Sequence, residues 1–160
     1  MDYQEWIPLL GLPADDERVI ARLAAHDWNT PVVFEPQELT FDVVFRSHGM
    51  NIGFESEYKL SSDGVVDLPI LASVTMKPTL SKNDKKWKWT AYSGPMPYSL
   101  KGTCSKADVI ALLGEPANFD DDFNFAGWLL EDGQRELGIQ FTEDWENIRQ
   151  LSISIPRRAM

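Results

Sequence analysis

The sequence is poor in the residues on which much small-protein chemistry depends. Cysteine occurs once, at Cys104, and histidine twice, at His26 and His48. A single cysteine forbids an intrachain disulfide and fits a reducing compartment. No Cys/His/carboxylate cluster has the spacing of a zinc site. Glycine-rich phosphate loops and the Gly-x-Ser-x-Gly elbow are both missing. No apolar run approaches the ~20 residues of a membrane span. The opening Met1-Asp2-Tyr3-Gln4-Glu5-Trp6 lacks the basic and apolar regions of a secretory signal, so the expected location is the cytoplasm, away from any membrane.

Positive charge is scarce as well. Fifteen Lys and Arg stand against 25 Asp and Glu, a formal net charge of −10. A phosphate backbone would be repelled, so nucleic acid is not the expected partner. A basic protein would be attracted and steered.

What is present is ordinary globular material. The 43% hydrophobic and 11% aromatic content argues against disorder. At 160 residues one domain over residues 1–160 is expected, and a fold of this size buries roughly 70% of the surface its unfolded chain exposes. No disulfide or metal staple is required.

Pro8-Leu9-Leu10-Gly11-Leu12-Pro13 reads as a turn-rich lead-in. A helix is predicted over Asp16–His26, capped by Asp15, with Val19, Ile20, Leu23 and Ala24 as its apolar stripe. Leu39, Phe41, Val43 and Phe45 alternate as a half-buried strand, Ser47-His48-Gly49 turns, and Ile52, Phe54 and Tyr58 suggest the return. Ser61-Ser62-Asp63-Gly64 is a further turn. Leu68–Met76 is a strand with Pro69 near its start, where a missing N–H is tolerable. Ser81–Lys86 reads as a polar loop, and Trp87, Trp89 and Ala91 alternate with Lys88 and Thr90 as a strand would.

The second helix has the clearest limits. Ser105 and Asp108 form a variant capping box, Val109, Ile110, Leu112 and Leu113 supply the apolar face, and Gly114 with Pro116 ends it. Strands near Gly127–Glu131, Glu136–Thr142 and Ile148–Ile155 follow, turning at Asp132-Gly133 and Asp144–Asn147. The expected class is α+β, two helices packed on a mainly antiparallel sheet, because the strand connections are too short for parallel crossovers. Val19-Ile20-Ala21-Arg22-Leu23 and Val109-Ile110-Ala111-Leu112-Leu113 echo each other, which allows a tandem helix-then-strands pseudo-repeat.

Few residues are singled out for chemistry. His26 sits at a helix C-terminus and His48 in a turn, where structural or surface roles are expected. Cys104 precedes a helix N-terminus, which can lower a thiol's pKa, yet no nucleophile signature surrounds it. Asp120, Asp122, Asn124 and Glu131 fall at positions 1, 3, 5 and 12 of a calcium loop, but the required turn glycine is replaced by Phe125. No pair of carboxylates is marked as acid and base. Neither a cofactor, a metal nor enzymatic turnover is expected.

Charge placement is the most informative feature. Between Glu115 and Glu146 there are ten acids and one base, Arg135, so one fifth of the chain carries −9 of the charge. Many of these acids fall in expected turns beside Phe123, Phe125, Trp128 and Trp145. The candidate partner-binding residues are Asp120, Asp121, Asp122, Phe123, Glu143, Asp144, Trp145 and Glu146, with acids steering a basic protein and an aromatic anchoring it. The competing reading has the aromatics facing the core and the acids merely solvated.

The stretch from Ser105 through Pro116, followed by Trp128 and two strands, resembles one half of the β-lactamase-inhibitory-protein-like fold, whose members generally bind proteins. Leu9-Leu10-Gly11-Leu12-Pro13 with its helix, and Tyr92–Leu100 leading into the second helix, resemble small bacterial immunity-type proteins. The middle, Val66–Trp89, departs from that pattern with an inserted basic, Trp-containing strand pair. The resemblance implies an immunity-type protein that neutralises a cognate toxin by direct binding. An adaptor or chaperone for a secreted effector is the alternative, and an enzyme the third.

Overall fold

A computed structural model describes residues 1–35, 38–56, 68–130 and 133–156. Tyr58, the Ser61–Gly64 turn, Glu131 and Asp132 lie outside the described residues.

Two short 3-10 turns, Tyr3–Glu5 and Ile7–Leu9, open the chain. Helix α1 spans Glu17–Ala25. Its cap is Asp16, whose carboxylate accepts from Arg18 N–H at 2.9 Å, not Asp15. Val19 and Leu23 are buried, but Ile20 is 52% exposed, so the stripe is narrower than its apolar residues suggest. Strand β1 covers Thr40–Phe45 and β2 covers Met50–Ser56. They are joined by a 3-10 turn, Arg46–His48, that ends on Gly49 with φ 66°. A Cβ on Gly49 would sit 2.3 Å from the Tyr92 nitrogen, so both conformation and space demand glycine. Strand β3 is Pro69–Met76.

The polar segment after β3 is a helix, not a loop. Helix α2, Lys82–Lys86, is capped by Ser81, and the Asp84 carboxylate reaches back to the Ser81 N–H. No strand forms over Trp87–Ala91, so the expected Trp-containing strand pair is absent among the described residues. Helix α3, Lys106–Leu113, carries the expected Ser105/Asp108 box, and Gly114 leaves it at φ 84°. Val109 is buried, Ile110 and Leu113 are partly buried, and Leu112 is 55% exposed. Strands β4 (Asn118–Asp120), β5 (Phe125–Leu129), β6 (Glu136–Phe141) and β7 (Ile148–Ser154) complete the fold. Among the described residues the fold is α+β as expected, with helix α2 and strand β4 beyond expectation and the strand expected over Trp87–Ala91 not formed.

All strand pairs described are antiparallel, in the order β1-β2-β3-β7-β6-β5-β4. The last strands of the two meanders, β3 and β7, therefore meet at the centre. β7 reaches only Ser73–Met76 of β3. The first part of β3 is completed by the lead-in: Gly11 N–H donates to Leu71 O, Leu71 N–H to Leu12 O, and Ala14 N–H to Pro69 O.

Register makes the two sheet faces unlike. Val43, Ile52, Val74, Ile153 and Leu137 are successive cross-strand partners and all buried. Trp6, Leu9, Val19, Leu23 and Val109 join them in one core. The other face carries Asp42, Gly53, Ser73, Ser154 and Glu136 in one row, and Asn51, Thr75, Ser152, Gly138 and Gly127 in the next. Small polar side chains and glycines thus floor the open face.

Candidate functional site

The candidate residues belong to two turns, β4–β5 and β6–β7, some twenty positions apart in sequence. In the first, the Asp120 carboxylate accepts from the Asp122 and Phe123 N–H groups at 3.0 and 3.3 Å. Asn124 then takes a left-handed conformation, φ 51°. In the second, the Thr142 hydroxyl donates to Asp144 at 2.6 Å, and the same carboxylate oxygen accepts from Glu146 N–H at 3.1 Å. The Thr142 hydroxyl and then the Glu146 N–H hold the Asp144 carboxyl below its usual range.

The two turns are stitched together. Asn124 Nδ2 donates to the carbonyls of Thr142 and Glu143 at 3.2 and 3.3 Å. Gln140 Nε2 donates to Phe123 O at 3.2 Å, and Phe141 N–H to Asn124 O at 2.8 Å. Asp120, Asp121, Asp122, Glu143, Asp144 and Glu146 are gathered at one end of the sheet, and none makes an ion pair with a described residue.

The aromatic residues divide. Trp145 is half-buried: it stacks on Phe119 with ring centroids 5.5 Å apart and lies 5.7 Å from Phe141. Lys106 Nζ sits 3.9 Å from the Phe119 ring centroid and 4.6 Å from that of Trp145, while its N–H donates to Trp145 O. Trp128 is buried, with its indole N–H donating to Gly114 O at 2.9 Å. Phe125 lies over the open face, where a Cβ on Gly138 would be 3.0 Å from its ring. Phe123, 68% exposed, is the one aromatic of this group turned fully outward.

The other chemistry-bearing residues lie elsewhere. The Glu5 carboxylate takes His26 Nε2 at 2.9 Å and Arg22 at 3.2 Å. The His26 ring lies tilted against Trp6 at 5.9 Å and edge-on to His48 at 6.2 Å. Burial, then the charges of the N-terminus and His26, lower the His48 pKa against the pull of Glu5. Cys104 is half-buried against the core, and its Sγ accepts from Lys101 N–H at 3.4 Å. The Asp120 oxygen of the calcium-like pattern is engaged by its own turn.

Sequence reasoning missed a groove of about 780 Å³ beside these turns, between α2 and strands β6 and β7. Its residues come from the chain leaving β3, from α2 and its cap, from β6 and β7 and from the turn between them. The sequence predicts a polar loop where α2 stands, so only topology reveals the groove. Among the described residues no helix is long and apolar enough to cross a membrane. No known protein family matches the chain, and it matches neither a curated protein nor a solved structure.

Proposed function

We propose that this chain is an immunity-type protein that binds and neutralises a cognate bacterial toxin domain in the cytoplasm, by occupancy and not by turnover. The observation that carries the reading is the joining of two remote acidic turns through Asn124, Gln140 and Phe141. Six carboxylates without ion partners among the described residues form one field, and such a field raises the encounter rate with a basic protein. Phe123 offers the exposed apolar contact, and Trp145 supports the second turn from beneath. The likeness to β-lactamase-inhibitory-protein units belongs to this proposal, as does the tandem origin of the two helix-then-meander halves.

The test is affinity capture from the native host with the wild-type chain and with Asp120, Asp121 and Asp122 together replaced by Asn. Wild-type should retain a basic protein that the triple variant loses. Co-production of the wild-type chain should then restore growth of cells making that protein. Capture without growth rescue would favour an adaptor for a secreted effector. Retention by both variants alike would remove the acidic turns from the site.

A further inference from the structure

We propose that the groove on the open sheet face is a second binding site, for an acidic peptide segment, with Arg149 and Lys82 as its carboxylate-binding residues. In a chain of net charge −10, this groove gathers Lys77, Lys82 and Arg149. Lys77 is already committed: its Nζ lies 2.8 Å from Asp84 and 4.3 Å from the Trp89 ring centroid. The other two are not. The guanidinium of half-buried Arg149 makes no hydrogen bond or ion pair with a described residue, and the Lys82 ammonium is exposed without an acidic partner among them. They approach from different walls, Lys82 from α2 and Arg149 from β7.

The rest of the lining selects the kind of anion. Gln140 and Gln150 are cross-strand partners. Each follows or precedes a buried residue, Ile139 or Leu151, so both stand on the open face. The Gln150 amide can donate and accept, and Gln140, whose Nε2 already donates to Phe123 O, keeps its second N–H and its oxygen, which suits a peptide backbone. Asp84 and Glu143 also line the groove. A compact, doubly charged phosphate would meet both carboxylates, whereas an extended segment can set its acidic side chains on the cations and its N–H groups toward the acids. A guanidinium takes a carboxylate in a two-pronged hydrogen bond that favours this choice further. The volume lies within the range of preformed ligand sites.

This site stands or falls independently of the acidic turns, although Glu143 borders both. The experiment is an amide chemical-shift titration of the labelled full chain at low salt with three probes: hexaglutamate, hexalysine and inorganic phosphate. Hexaglutamate should shift the amides of Lys82, Gln140, Arg149 and Gln150 saturably. Arg149→Gln should weaken that binding about tenfold, the effect of losing one charged hydrogen bond. Lys82→Gln, at an exposed position, should weaken it in the same direction and serves if Arg149→Gln fails to fold. Hexalysine should shift residues 120–123 and 143–146 instead, and its failure would count against the acidic turns alone. Unmoved groove amides with hexaglutamate, equal binding by the variants, or equal shifts with phosphate would each overturn the peptide site.

Discussion

Trp145 holds its backbone at φ 62°. For a bulky residue that conformation costs on the order of 1–3 kcal/mol, and it persists only where surrounding contacts over-determine it. Here the contacts are visible: the Phe119 stack, Phe141, and Lys106 over the ring. Trp145→Ala removes the contacts and keeps the strained backbone. It should destabilise the chain by about 2–3 kcal/mol, somewhat below the cost of truncating a fully buried tryptophan. Thermal unfolding should then drop by about 4–10 °C. Phe123→Ala, at an outward-facing position, should leave the melting temperature unchanged and speed dissociation from a bound partner. An unchanged melting temperature for Trp145→Ala would return that residue to the role of anchor. Sequence could not separate the two aromatics, since both flank acidic turns; the rings that receive Trp145, Phe119 and Phe141, come from strands β4 and β6, a non-local cause.

Asp42 gives a second test at this scale. Asp42 stands on the open face and is exposed as a residue, yet partial desolvation of its carboxyl among its strand neighbours raises its pKa. A hydrogen bond to Asn51 opposes the rise, the neighbouring Glu55 charge adds to it, and solvent keeps the net effect small. The Asn51 Oδ1 atom is itself buried without a partner among the described residues. A folded pKa above the unfolded one means that ionised Asp42 weakens the fold. The penalty is absent below the unfolded pKa and grows as pH rises through the folded pKa. Asp42→Asn should therefore raise the melting temperature at pH 7, with the gain fading in acid. A gain equal at both pH values would remove the ionisation argument.

Among the elements, legibility tracked the kind of signal each one carries. The α3 limits were plain because Ser105, Asp108 and Gly114 form both ends of a helix in local chemistry alone. Helix α2 has an equally complete capping box in Ser81 and Asp84, yet no apolar face, so hydrophobic periodicity passed over it. Tertiary contact supplies what its sequence does not: Asp84 accepts from Lys77 of the chain leaving β3. Strand β4 has three exposed residues and exists through pairing with β5, a non-local cause. The Glu5 clamp is of the same kind, tying the opening 3-10 turn to α1 through His26 and Arg22. Burial pushes the Glu5 carboxyl up, but the His26 and Asp2 N–H hydrogen bonds and the His26 and Arg22 charges outweigh it, leaving the pKa lowered. A lowered folded pKa stabilises above the unfolded value and is lost as pH falls through the folded one. Glu5→Gln should cost about 0.5–1 kcal/mol at pH 7, as expected for a part-exposed pair. Denaturant unfolding should show that difference closing toward pH 3. A difference that persists there would point to packing and not charge.

Across the whole molecule, the order β1-β2-β3-β7-β6-β5-β4 puts both acidic turns at the same end of adjoining hairpins. The sequence indicated charge density and the strand order did not follow from it, so the meeting of Asp120–Asp122 with Glu143–Glu146 could be stated only as two separate loops. Asn124 of the first turn bonds directly to the Thr142 and Glu143 carbonyls of the second, and with a Debye length of about 10 Å at 0.1 M salt a partner meets the joined turns as one field. Rim charges of this kind act on association, while desolvated apolar contacts act on dissociation. Replacing Asp120, Asp121 and Asp122 together with Asn keeps the side-chain oxygen that caps the turn and removes three charges. The association rate with the basic partner should fall about tenfold or more at low salt. The dissociation rate should change by less than about threefold, and the gap between variant and wild-type should close as salt rises toward 1 M, where screening reaches about 3 Å. Stopped-flow or biosensor kinetics at three salt concentrations separates the cases. An association rate untouched at low salt would leave those carboxylates as solvated turn residues, and the sheet's polar open face would become the surface on which a partner must be sought.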